Sequence, residues 1–150
     1  MVDAYRRLLA PKALVLTPNI GEAALLVRRD LDNPASVGAA AAQLGREFAT
    51  NVVVTCGSAR SWPAQDAWFD PITDAVHWLS GDRIATANIA GSGDSYSAAV
   101  TALLARGSLV EDALRGAKAF VQTALRGGAG WALGAGPGPL DHFGWSTKPA

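Results

Sequence analysis

Gly91, Ser92, Gly93 and Asp94 stand in the stretch "IAGSGDSYSAAV", three small residues and a carboxylate just ahead of an apolar, helix-like run. Two kinds of chemistry suit them. As a plain helix start, Ser92 or Asp94 accepts from the first orphan amides, and glycine allows the turn. As an anion site, free N–H groups and the helix dipole hold a phosphate while Asp94 faces it. A carboxylate is ionised at neutral pH, so it takes a hydroxyl proton without a helper. The motif alone leaves both readings open.

Two more turns carry chemistry-bearing residues. In "TPNIGE", Asn19 and Glu22 read as a turn residue and a helix-start charge, or as an amide and a carboxylate that order a Mg²⁺ ion through its waters. In "TCGS", Thr55 and Gly57 read as a strand-end turn, or as a hydroxyl and bare backbone set against a nucleotide phosphate. Cys56 has no basic neighbour in sequence and reads as an inert packed thiol. His77 and His142 lack a third ligand at useful spacing, which argues against zinc. The tryptophans lack interleaved Lys or Arg, so they read as core and hairpin packing rather than stacking platforms for nucleic acid.

These turns need elements to position them. Residues 13–17, "ALVLT", and 51–55, "NVVVT", are short apolar runs that predict strands buried on both faces. "GEAALLV" predicts a short helix, and residues 33–49, opened by Asn33 and Pro34, a longer one. "AWFD" and "AVHWL", separated by "PITD", predict a hairpin. "SYSAAVTALLARG" predicts a helix closed by Gly107 at C′, followed by a second helix over 108–128 with Ser108 and Glu111 as a capping box. The Gly- and Pro-rich tail, 128–150, predicts no regular element. This order implies an α/β fold with a mainly parallel sheet flanked by helices, built as one domain over 1–150. Ligands of such sheets bind beyond the carboxyl ends of the strands, so the three turns are expected on one rim.

Bulk composition narrows the partners. Of 150 residues, 49% are hydrophobic and 17% charged, which predicts a globular chain. Thirteen basic residues balance thirteen acidic ones, leaving no electrostatic pull toward nucleic acid or an anionic membrane. One cysteine fits a reducing compartment, and no stretch has the length of a signal peptide or a membrane span. The expectation is a cytoplasmic protein acting on a small molecule.

The ordered set "LTPNIGEAALL", "VVVTCGS", "WLSGDRIATANIAGSGDSYSAA", "AKAFVQTALR" and "LGAGPGPLDHF" resembles the ribokinase-like vitamin kinases. The similarity is greatest to the hydroxymethylpyrimidine (phosphate) kinases of thiamine biosynthesis, favoured by "RIATAN" and "GPLDHF". It runs from about Asp3 to Phe143 and covers the C-terminal half of such a fold. The resemblance implies that the amides of Gly91, Ser92, Gly93 and Asp94 form an anion hole and that Asp94 is the catalytic base. It implies further that Asn19 and Glu22 organise Mg²⁺ and phosphates, and that Thr55 and Gly57 approach ATP. The reaction would be attack of a hydroxymethyl oxygen on the γ-phosphorus of ATP.

Three departures accompany the resemblance. Asp94 stands where the pyrimidine kinases usually carry cysteine; aspartate is the habit of pyridoxal kinases and sugar kinases. Cys56 replaces a common glycine, and Pro137 a common histidine. Family members are roughly twice this length, so a missing N-terminal half or self-association is the expected complement. Three rivals stay open: pyridoxal kinase, NAD(P)H-hydrate dehydratase, and an inactive truncated binding module.

Overall fold

Four strands and five α-helices are present in the computed structural model, which describes residues 2–57, 59 and 62–144. α1 (Val2–Ala4) continues through a π turn (Tyr5–Leu9) and a 3-10 turn (Ala10–Lys12) into β1 (Val15–Leu16). α2 (Ile20–Val27), α3 (Pro34–Phe48), β2 (Asn51–Val54), β3 (Gln65–Asp70) and β4 (Ala75–Ser80) follow in a first compact unit that ends at Ser80. α4 (Ser92–Ala105) and α5 (Val110–Gly128) belong to a second unit, from Gly81 onward. No helix among the described residues is long and apolar enough to cross a membrane.

In the first unit the strand order is β1-β2-β3-β4. β1 and β2 run parallel, with Val15 opposite Asn51 and Leu16 opposite Val52, and α2 and α3 form the crossover. β2 and β3 are antiparallel, with Val53 opposite Trp68. β3 and β4 form the expected hairpin, paired from Gln65–Ser80 to Asp70–Ala75. The α/β class holds, but the pairing needs a correction: one parallel and two antiparallel pairs make the described sheet mixed rather than mainly parallel. The turn at residues 71–74 and the ten-residue link 55–64 between β2 and β3 are both shorter than the dozen residues or more that a parallel return takes. β1 is also shorter than the five residues expected.

The hairpin turn is held by side chains. Asp70 accepts from the Ile72 N–H at 2.9 Å and the Thr73 hydroxyl at 2.8 Å. Desolvation pulls its carboxyl upward, but these hydrogen bonds, helped by His77, win and hold it below the usual range. Asp74 adopts φ 51° and receives the Arg46 guanidinium of α3 at 2.7 and 3.1 Å.

β2 is buried along its whole length, and α3 covers the sheet with a face of small residues, Ala40, Ala41 and Gly45, around Leu44. At Gly45 a Cβ would lie 2.0 Å from Phe69 Cδ1, so only a residue without one lets the helix sit this close to β3. Leu16, Val37, Leu44, Val52, Val54 and Phe69 form the centre of this core.

The second unit packs α4 against α5 through Tyr96, Val100, Ala113, Leu114 and Ala117. The end of α4 follows the expected C′ pattern: Gly107 N–H donates to Leu104 O and Ser108 N–H to Leu103 O. The capping box expected from Ser108 is not formed. α5 has its N-cap one residue later than expected, on Leu109, whose side chain cannot cap, while the Ser108 N–H closes the helix before it. Glu111 instead accepts from Arg115, one turn on, at 2.7 and 2.9 Å.

Candidate phosphate-binding turn and its surroundings

The first unit realises one reading of "TPNIGE" in full. Asn19 is the N-cap of α2: its Oδ1 accepts from the Glu22 N–H at 2.9 Å, and Glu22 Oε2 accepts from the Asn19 N–H at 2.8 Å. This reciprocal box satisfies two orphan donors of the helix. It engages one carboxylate oxygen; Glu22 Oε1 has no hydrogen bond among the described residues, and the residue is exposed. Glu22 also acts at a distance on Tyr5, whose hydroxyl is pushed up by burial and then by this negative charge.

The parallel pairing extends past the strands as a bridge between Asn19 and Thr55, and the Thr55 N–H donates to Pro18 O at 2.9 Å. Asn19, Glu22 and Thr55 are therefore brought together at the carboxyl ends of β1 and β2. Gly57 follows two residues later, exposed, with open space where a Cβ would stand. Ser58 of the same turn lies outside the described residues. Cys56 is buried, as expected of a packed thiol. Sequence reasoning missed Asp66 of β3. It is 7% exposed and its Oδ1 accepts from the Cys56 N–H at 2.9 Å, fixing the turn after β2. The available signal was a carboxylate inside an aromatic and apolar strand run.

Among the described residues no group of three or more His, Cys, Asp or Glu could hold a metal ion. A magnesium ion bound through its waters or through phosphate needs no such group, being a cation reluctant to shed its hydration. One free carboxylate oxygen beside an amide is compatible with that role.

In the second unit the backbone of the motif departs from the plain-cap reading. Gly91 is the N-cap of α4 with φ 78°, a left-handed turn that glycine takes without the usual steric cost. Neither Ser92 nor Asp94 caps the helix, contrary to the plain-cap reading. Ser92 N–H donates to Ile89 O and Ser95 N–H to Gly91 O, while the Gly93 and Asp94 amides have no partner among the described residues. A Cβ on Gly93 would meet nothing within 4 Å, and Asp94 is exposed. Two open amides at a helix N-terminus, beside open space and a carboxylate, have the features that bind a phosphate.

Residues distant in sequence brace this turn. Ser95 Oγ donates to Gly91 O at 2.8 Å and lies 2.7 Å from His142 Nε2. Asn88, 7% exposed, donates to Gly128 O at 2.7 Å and Trp131 O at 2.8 Å, and accepts from the Gly138 N–H at 3.0 Å. Ala90 pairs with Pro139, and Asp141 N–H donates to Ala124 O. The described part of the tail is irregular, as expected, but it is tied to the segment leading into the turn. Neither Asn88 nor the bracing role of His142 was legible beforehand, since both act through contacts 40 to 50 residues apart. The tail beyond residue 144 lies outside the described residues.

Comparison with known proteins places these features in context. A hydroxymethylpyrimidine/phosphomethylpyrimidine kinase of Rhizobium meliloti is 37% identical over 136 residues, 90% of this chain and 50% of its own length. The ADP complex of Bacillus subtilis pyridoxal kinase superposes with TM-score 0.87 at 34% identity, covering 94% of this chain and 52% of that one. The Staphylococcus aureus pyridoxal kinase with AMP-PCP and pyridoxal gives TM-score 0.87 at 31% identity, over 96% and 53%. The chain thus spans about half the length of the relatives it matches. The phosphomethylpyrimidine kinase family model matches residues 1–141, and the chain belongs to that family.

Proposed function

We propose that this chain carries the phosphoryl-transfer machinery of an ATP-dependent kinase that phosphorylates the hydroxymethyl group of hydroxymethylpyrimidine or its phosphate. The carrying observation is the uncapped α4 turn, where the Gly93 and Asp94 amides stand open beside an exposed carboxylate. Family membership and the ADP and AMP-PCP complexes of the pyridoxal kinases support a nucleotide as phosphoryl donor.

In this reading Gly91 sets the turn, and the amides of Ser92, Gly93 and Asp94 stabilise charge on the transferred group. Asp94 takes the proton of the attacking hydroxyl. The hydroxymethyl oxygen forms a bond to the γ-phosphorus, the bond to the β–γ bridging oxygen breaks, and ADP leaves with that electron pair. Thr55 and Gly57 line the approach of the nucleotide phosphates. Asn19 and Glu22 hold Mg²⁺ through water or phosphate, and the ion neutralises charge on the phosphates when bound. Pyridoxal is the second candidate acceptor: Asp94 replaces the cysteine usual in pyrimidine kinases, and both pyridoxal kinase structures match closely in fold.

The test is substrate-dependent ADP release from Mg-ATP with hydroxymethylpyrimidine, its phosphate and pyridoxal supplied in turn. Asp94→Asn is expected to cut turnover by about two to four orders of magnitude with little change in nucleotide affinity. Turnover that survives the substitution would remove Asp94 from the role of base. A folded chain that releases no ADP with any acceptor would refute catalysis by this chain alone.

A further inference from the structure

The Ser95 hydroxyl has a single proton and two close neighbours, Gly91 O at 2.8 Å and His142 Nε2 at 2.7 Å. A carbonyl oxygen only accepts. If the proton pointed at His142, two oxygens would face each other at 2.8 Å with no proton between them. The arrangement that satisfies both contacts sends the Ser95 proton to Gly91 O and requires His142 Nε2 to donate. This order of donors excludes the imidazole as a base that activates Ser95.

The geometry points to His142 as a positioning residue for the phosphate-binding turn, acting through Ser95 on the carbonyl of Gly91. That carbonyl already accepts the Ser95 N–H at 2.9 Å, so backbone and side chain of one residue converge on it. Holding it fixes the left-handed Gly91 and thereby the direction of the two open amides that follow. His142 is well placed to anchor the chain of bonds. Its neighbours Leu140 and Asp141 are 2% and 3% exposed, and its ring lies 6.3 Å from that of Phe120 on α5. Its second nitrogen, Nδ1, has no hydrogen bond among the described residues.

The inference rests on reading the turn as a phosphate cradle, but its primary readout needs no activity. Long-range ¹H–¹⁵N spectra of the full chain at about pH 8, above the ordinary imidazole range, identify the His142 tautomer. Nε2–H is expected; Nδ1–H would overturn the inference. Backbone amide shifts of Gly93 and Asp94 and the dissociation constant for ADP are then compared across variants. His142→Leu is expected to move both amides and weaken ADP by about tenfold, the scale of one loosened charge-assisted hydrogen bond. His142→Gln, whose amide nitrogen can reach the same position, is expected to restore both.

Ser95→Ala is expected to move the same amides, and it decides the question if the leucine variant fails to fold. Unmoved amides in both His142→Leu and Ser95→Ala would refute the positioning role. So would a glutamine variant that behaves like leucine, since ring packing on Phe120 would then be the only contribution. Should wild-type chain bind no ADP, the phosphate reading fails, while tautomer and amide shifts still decide what His142 does to the turn.

Discussion

Replacing Gly93 by alanine separates fold from ligand at one position. A Cβ there meets nothing within 4 Å, and the backbone is helical rather than left-handed, so the folded chain accommodates the methyl. Alanine in place of glycine favours a helix by up to about 1 kcal/mol, so the unfolding midpoint is expected to hold or rise. The same methyl stands in the open space beside the Gly93 and Asp94 amides. Hydrogen bonds to charged groups contribute about 1.5–3 kcal/mol each. Weakening two of them by half predicts a loss of about 1.5–3 kcal/mol, which is roughly a ten- to hundredfold rise in the dissociation constant for ADP.

Gly91→Ala is the control. Its φ of 78° costs an L-residue about 1–2 kcal/mol, so stability and affinity should fall together. Calorimetric titration with ADP, run beside thermal unfolding, reads both quantities. Unchanged ADP affinity in a folded Gly93→Ala chain would refute the assignment of these amides to phosphate.

Three further outcomes are expected. Asp66→Ala removes the acceptor of the Cys56 N–H and should lower stability by about 1–3 kcal/mol, read by denaturant unfolding; an unchanged midpoint would mean the turn after β2 is held by other contacts. The Arg46 hydrogen bond and charge hold Asp74 below its ordinary value of 3.8, so the pair stabilises above about pH 4 and the gain disappears as pH falls through the lowered value. Unfolding midpoints of wild type and Asp74→Asn should therefore differ at neutral pH and converge in acid, with the gap shrinking in high salt. Gly45→Ala should destabilise by about 1–3 kcal/mol despite the better helix former, because the added methyl meets the buried Phe69 ring; a stabilised variant would show that α3 can move away from β3.

What was legible in the sequence were features fixed by local chemistry. Asn33–Pro34 opens α3, "PITD" turns the hairpin, and Gly107 closes α4, each through bonds spanning a few residues. The strand-end positions of Asn19 and Thr55 followed from the same reading, because a buried apolar run must stop where polar groups begin. Competition between local signals was less legible. Ser108 fits a capping box on paper, but it ends the preceding helix and the N-cap of α5 falls on Leu109, one residue later. Of the two readings left open at the motif, the side-chain cap by Ser92 or Asp94 does not form, because Gly91 takes the N-cap position and brings no side chain. Asn88 and His142 were beyond sequence reasoning, since Asn88 binds backbone groups, and His142 the Ser95 hydroxyl, of segments 40 or more residues away.

Asn88 has a consequence for the order in which the second unit is built. Its partners at Gly128, Trp131 and Gly138 lie 40, 43 and 50 residues downstream. α4 and α5 depend mostly on near neighbours and can form early, whereas contacts so far apart must first overcome the entropy of closing a long loop. On a ribosome, residues 81–95 are synthesised before residue 138 exists. The turn therefore receives its final bracing only after the irregular segment has been synthesised and has folded back. A nascent chain holds the complete motif in its sequence for some time before it holds the geometry.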